Sequence, residues 1–334
     1  MMYESPYAQR MRAASQQAFL PRERSSARRK IKIDIGSVCP CGSGQAIAHC
    51  HLDPIDGRFR KNIRTLRPPR GPTGFAHERC YLNVTGDCSR EISREHYISE
   101  AVLKKLGEII AISGTHWIES GCTLQTSLAS LTAKILCKRH NEALSPLDAE
   151  AGIFFKALLD GIIDLDRKTL SKKRKFHLAS GEGLELWFLK VACGHYFGLA
   201  AHDGAKLKEA YEIDLTQITK AFFDREWLSR CGLYFKGSTG DRLKTSSTIG
   251  ISALLDPPRK EMAGVTISLL GVEMDLIFKA TNANPGEWTG LHKRPTELVL
   301  RRGARFHSII LTWPVGTPEF SVGLHAKGRR SPAA

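Results

Sequence analysis

The spacing of apolar and polar residues changes period along this chain, and the changes mark its parts. Val265, Ile267 and Leu269 alternate with Thr266 and Ser268, and Val272, Met274, Leu276 and Phe278 alternate with mainly polar neighbours. Successive side chains on a strand point to opposite faces, so this period of two predicts two half-buried strands. Leu270-Gly271 between them predicts a tight hairpin turn. Leu298, Leu300 and the run from Ile309 to Trp313 predict further strands.

Helical spacing dominates elsewhere. Ser99 precedes Glu100 to Leu106 and Gly107 follows, the pattern of a short capped helix. Leu128, Leu131, Ile135 and Leu136 recur at helical spacing. Ser145-Pro146 with Asp148 reads as an N-cap, a proline at the first helical position and an acid in the first turn, so a helix should start there and pass through Phe154 and Leu158. Another helix is predicted over residues 184–199. Helices mixed with antiparallel strands make the expected fold class α+β, without internal repeats.

Composition sets the boundaries. Arg10, Arg12, Arg22, Arg24, Arg28, Arg29 and Lys30 face only Glu4 and Glu23, which predicts a flexible basic arm over 1–34. A cysteine cluster occupies 35–56. Arg67-Pro68-Pro69-Arg70-Gly71-Pro72 disfavours helix and predicts a stiff linker over 57–76. A second Cys/His cluster lies in 77–160, an α+β domain is expected over 161–320, and a flexible tail over 321–334.

The 334 residues hold no apolar run near the roughly 20 residues that span a bilayer, and the basic arm lacks the apolar core of a secretory signal. The cytoplasm is therefore the expected compartment, with no membrane partner. A formal charge of +15 attracts polyanions and makes nucleic acid, DNA in particular, the expected partner. Nine cysteines, odd in number and unevenly spaced, favour metal ligation over a disulfide framework.

The first cluster reads Cys39-Pro40-Cys41-Gly42-Ser43-Gly44, then Cys50-His51. Cys39, Cys41, Cys50 and His51 form a tetrahedral zinc ligand set, with His49 as an alternative to His51, and zinc can supply about 10–16 kcal/mol to a segment too small for a core. A disulfide across one residue would be strained and would leave Cys50 unexplained. These residues resemble the SEC-C motif, which implies zinc and a recruiting role through a protein partner.

The second cluster comprises Cys80, Cys88, Glu95-His96 and Cys137-Lys138-Arg139-His140-Asn141. Cys80, Cys88, Cys137 and His140 can clamp a second structural zinc ion. Glu95, His96 and Asn141 remain, and they are the groups that one-metal phosphodiester hydrolysis needs. A histidine can take a proton from water at neutral pH, while a carboxylate and an amide oxygen hold Mg²⁺ or Mn²⁺. Residues 77–150 resemble the zinc-bound HNH nucleases, although 97–140 contain no asparagine where that family usually has one. The resemblance implies a ββα-metal module with His96 as general base and Glu95 and Asn141 as ligands of the catalytic ion. The alternative is a non-catalytic zinc-binding adaptor that recruits a protein or ribosomal partner.

Other residues carry less. Cys193 and His195, two apart in a helical pattern, face different directions and read as core. Cys122 and Cys231 have no ligand-like neighbours, and His77 and His116 are spare ligand candidates. Lys172 to Lys175 and the group Lys293, Arg294, Arg301, Arg302 and Arg305 read first as solvated faces.

Overall fold

The computed structural model describes residues 34–39, 43–52, 65–68, 71–106, 109–115, 118–119, 121–166, 175–198, 206–237, 241–243, 248–279, 290–302, 305–314 and 321–326. The basic arm apart from Asp34, Cys41, most of the linker, His116, residues 172–174 and residues 327–334 lie outside that set.

Described strands are β1 (Ile92–His96), β2 (Ile109–Ser113), β3 (Leu124–Ser127), β4 (Thr132–Cys137), β5 (Lys175–Ser180), β6 (Gly232–Lys236), β7 (Asp241–Leu243), β8 (Thr248–Asp256), β9 (Glu261–Leu269), β10 (Val272–Ile277), β11 (Leu291–Lys293), β12 (Glu297–Arg302), β13 (Arg305–Thr312) and β14 (Ser321–Ala326). Described helices are α1 (Ile47–Cys50), α2 (Glu100–Leu103), α3 (Lys138–Asp166), α4 (Gly181–Phe197), α5 (Leu207–Ala210) and α6 (Leu215–Phe223). The fold is α+β. Among the described residues no helix is long and apolar enough to cross a membrane.

The strands form an antiparallel β1–β4 pair, a seven-stranded sheet in the order β11-β6-β10-β9-β8-β2-β3, and a five-stranded sheet in the order β5-β13-β12-β14-β7. The alternating residues 265–277 lie in β9 and β10, where Leu269 pairs with Val272. Leu270 and Gly271 close that hairpin with φ of 53° and 81°, and two positive values match the twist of the flanking strands.

Three local expectations give way to tertiary structure. The helix expected to start at Ser145 starts at Lys138, and Pro146 sits inside it. Proline lacks the N–H that would bond the carbonyl four residues back, Glu142 O. Ser145 Oγ donates to that carbonyl at 2.9 Å instead, so the helix continues. Ile135 and Leu136, expected on a helix, lie in β4 because pairing with β1 satisfies their backbone, with Leu136 opposite Ser93. The tail expected from 321 opens with β14, which pairs parallel with β12.

The expected 77–160 module does not end in a break in packing at 160. Helix α3 runs through position 160, and the segment between β1 and β4 sends β2 and β3 into the seven-stranded sheet, where β2 pairs with β8. Leu103, Ile110, Phe154, Trp187, Ile267 and Leu300 belong to one continuous buried core. Helix α4 is buried along nearly its whole length and is capped by Ser180 Oγ, which accepts from Gly183 N at 2.9 Å. Gly194 and Gly198 let it approach the residue after β1: a Cβ on Gly194 would lie 3.1 Å from Tyr97 Cα, and one on Gly198 2.2 Å from Tyr97 Cε1. That approach brings α4 against β1.

Candidate functional site

The second Cys/His cluster forms at the junction of β4 and α3. Cys137 ends β4 and His140 lies in the first turn of α3, so the three-residue spacing turns both toward one side. Cys80 and Cys88 flank a 3-10 turn at Asn83–Thr85 that ends at Gly86, with φ of 63°. Its register is set by Tyr81 N, which donates to Ile135 O, and by Cys88 N, which donates to Phe75 O. Asp87 is held by an ion pair with Arg139 at 3.0 Å and by Thr73 N at 2.9 Å.

All four candidate ligands are buried, and their ligand atoms lie within 4.8 Å of one another. His140 Nδ1 is 3.2 Å from Cys137 Sγ, 3.5 Å from Cys80 Sγ and 3.7 Å from Cys88 Sγ. Zn–S bonds of about 2.3 Å and Zn–N bonds of about 2.0–2.1 Å at tetrahedral angles put nitrogen and sulfur about 3.5 Å apart. The tautomer also fits. Thr85 Oγ1 donates its hydrogen to Leu82 O at 2.8 Å, so toward His140 Nε2, 3.2 Å away, it acts as acceptor. The proton therefore sits on Nε2, and the Nδ1 lone pair faces the sulfurs, the outer-shell arrangement typical of zinc-bound histidine. A hydrogen bond from Cys80 pulls the Cys137 thiol far below its ordinary value, and the same bond together with burial pushes Cys80 up. Three thiols and an imidazole so arranged suit structural zinc.

The knuckle is smaller. Cys39 N donates to Gln45 O, Val38 bridges Ala46, and α1 then presents Cys50 and His51. His51 Nδ1 lies 3.5 Å from Cys39 Sγ and 3.0 Å from Cys50 Sγ. His51 is buried and His49 exposed, which assigns the ligand role to His51. Cys39, Cys50 and His51 can hold a metal ion together. Cys41, the expected fourth ligand, lies outside the described residues. The knuckle also packs on the five-stranded sheet: Cys39 and Ile47 share a small buried cluster with Leu178 of β5, flanked by Phe176 and Ile310.

Glu95, His96 and Asn141 come together beside the β1–β4 pair, Glu95 opposite Ala133 and His96 opposite Thr132. Asn141, one residue beyond the candidate ligand His140, has its side chain close enough to Glu95 to favour the ionised carboxylate. Burial lowers the pKa of half-buried His96 below the usual 6.5 against the pull of Glu100 and Asp148, which favours the neutral ring that a general base needs.

Two further residues meet there. Lys190, on the mid-part of α4, places Nζ 2.6 Å from Glu95 Oε1 and 2.7 Å from Asp148 Oδ2, with its side chain only 3% exposed. Burial opposes the ammonium charge, but Asp148 and Glu95 outweigh it, and the Lys190 pKa ends above the ordinary lysine value. Glu95 shifts against its charge: burial raises its pKa, Asp148 adds to the rise, and Lys190 and Asn141 oppose it. The two directions agree once the stoichiometry is counted, because one cation is stabilised by two anions while each anion has only a share of one cation. Tyr81, stacked on Phe197, is raised by burial first and then by the charges of Cys193 and Glu95, so its phenol stays protonated.

At the expected Mg²⁺ or Mn²⁺ site of Glu95 and Asn141 the structure places a cation of the protein's own. The carboxylate oxygen that would face a divalent ion already bonds the protein's own ammonium, and these residues do not fit the ion as they stand. From sequence Asp148 reads as a helix-start acid, and Lys190 belongs to no motif. The signal for Lys190 was present: a helix apolar on every side is buried, so its isolated charges must be paired. Glu185 obeys the same rule, taking two hydrogen bonds from Arg294 at 2.8 and 2.9 Å and one from Leu233 N at 2.7 Å. Cys193 and His195 are fully buried core residues, as read, and burial raises the Cys193 thiol.

No protein-family model, curated protein or solved structure matches this chain.

Proposed function

We propose that the protein hydrolyses phosphodiester bonds in nucleic acid, with DNA the expected substrate, as an endonuclease of the HNH kind whose general base is His96. One observation carries this reading. An antiparallel pair runs directly into a helix, with a four-ligand Cys/His cluster at their junction and His96, Glu95 and Asn141 gathered alongside. A strand pair leading into a helix in this way supports the ββα module that the HNH resemblance implies.

In this reading zinc at Cys80, Cys88, Cys137 and His140 is structural and fixes the start of α3 against β4. Neutral His96 takes a proton from the attacking water, and Asn141 and Lys190 hold Glu95 in place beside it. The formal charge of +15 draws the polyanion in. The knuckle contributes a surface for a protein partner, and the cytoplasm, where thiols stay reduced, suits both zinc clusters.

A second reading, a zinc-stapled adaptor without catalysis, is favoured by the ion pair between Glu95 and Lys190. Nicking of supercoiled plasmid by the zinc-loaded chain separates the two, with single-stranded RNA as a parallel substrate and with Mg²⁺ or Mn²⁺ added or omitted. Cutting that disappears in His96→Ala upholds the hydrolase. No cutting of either substrate under any of these conditions, or equal cutting by His96→Ala, leaves the adaptor.

A further inference from the structure

Helix α4 is packed among apolar neighbours, yet Lys190 lies at its centre with its side chain 3% exposed. A buried ammonium persists only where anions replace its water. Its two anions come from separate elements, Glu95 from β1 and Asp148 from α3, and they converge on Nζ at 2.6 and 2.7 Å. Asn141 makes a smaller contribution that favours the ionised form of the same Glu95 carboxylate. Half-buried His96 adjoins Glu95 on β1.

Two carboxylates aimed at one point would, without the lysine, make an oxygen-lined cation site. Mg²⁺ and Mn²⁺ choose such oxygens, but Mg²⁺ needs them at about 2.0–2.1 Å in a near-octahedral shell. An ammonium fixed between the same oxygens blocks that shell and repels a second cation. Because the lysine is tethered to a buried helix, it cannot be diluted away as a free ion can.

We propose that Lys190 is the resident cation of this centre. It is a positioning residue that fixes Glu95 and Asp148 beside His96 and takes the place of a divalent ion, so that chemistry at His96 runs without one. The statement about chemistry rests on the hydrolase reading; the statement about the cation does not.

The test uses the full zinc-loaded chain with Mn²⁺ as the probe, followed by electron paramagnetic resonance. The parent protein should bind no Mn²⁺ at this centre. Lys190→Met keeps the length of the apolar stem and removes the charge. It should acquire one Mn²⁺ site with affinity at least about tenfold above the parent's, a difference of about 1.4 kcal/mol. Adding Glu95→Gln to that variant should abolish the site, and Lys190→Arg should exclude Mn²⁺ as the parent does.

A parent site that Glu95→Gln or Asp148→Asn removes would overturn the proposal. So would a folded Lys190→Met chain with no gain in Mn²⁺ affinity. If Lys190→Met does not fold, the parent titration with Glu95→Gln and Asp148→Asn decides alone. Nicking by the parent should be the same with and without added Mg²⁺ or Mn²⁺, and strict dependence on either ion overturns the catalytic half. Absence of nicking sinks the hydrolase reading and leaves the Mn²⁺ result standing.

Discussion

His140 faces three sulfurs with one ring nitrogen and Thr85 with the other. Thr85→Val removes the acceptor for the Nε2 proton but keeps the shape, and losses of such outer-shell partners lower metal affinity by about 10–100-fold. Competition against a chromogenic chelator should show that drop at one of two zinc ions per chain. Cys137→Ser should go further and lower the zinc content from two ions to one by elemental analysis, because a buried hydroxyl is a poor zinc ligand. Glu95 carries a pH prediction. Burial holds its pKa above 4.5, so the folded chain binds that proton more tightly than the unfolded chain. Lowering the pH through the interval from the folded value toward 4.5 therefore adds stability from this one group, and a ¹³C titration of the Glu95 carboxyl should give a midpoint above 4.5. A midpoint at or below it would mean that Lys190 outweighs burial at Glu95.

The elements show where local preference was decisive and where it was overruled. The β9–β10 hairpin was legible because alternation and Leu270-Gly271 are properties of neighbouring residues. Helix α3 was half legible: its apolar positions pointed to a helix, but its start was misplaced because Pro146 carries a strong local signal. The bond from Ser145 Oγ to Glu142 O neutralises that signal. Ser145→Ala should therefore lower stability by roughly 0.5–1 kcal/mol in urea melts. Pro146→Ala restores a backbone donor to the same carbonyl and should erase the effect of Ser145→Ala; a full loss in the double variant would refute this account of how the helix passes the proline.

At the scale of the whole molecule the expected 77–160 and 161–320 modules share one interior. Strands β2 and β3 leave the β1–β4 unit to extend the sheet built by residues 232–293, and α4 supplies Lys190 to Glu95 and Asp148. A fragment of residues 77–160 lacks both β8 and Lys190, and it should be insoluble or unfolded with zinc present; a soluble fragment with dispersed amide NMR signals would contradict the shared core. The knuckle is likewise seated on the five-stranded sheet, with Ile47 and Leu178 both fully buried. Ile47→Ala should cost about 2–5 kcal/mol of docking and speed amide exchange in α1 and β5, while the zinc content stays at two ions per chain.

Metal chemistry could be read directly from the order of residues. Cysteines and histidines a few positions apart reach a common point whatever surrounds them, so the pair Cys137 and His140 and the adjacent Cys50 and His51 are legible from spacing, with Cys39 eleven positions before Cys50 completing the described part of the knuckle. The same holds for the α+β class, which follows from local periodicity. Only the tertiary structure decided what occupies the centre beside His96. The Glu95, Asp148 and Lys190 cluster draws on three elements up to 95 positions apart (190 − 95), and no local pattern states that an ammonium rather than a divalent ion will complete it. That outcome follows from Gly194 and Gly198, which let α4 come close enough to Tyr97 for Lys190 to reach the carboxylates.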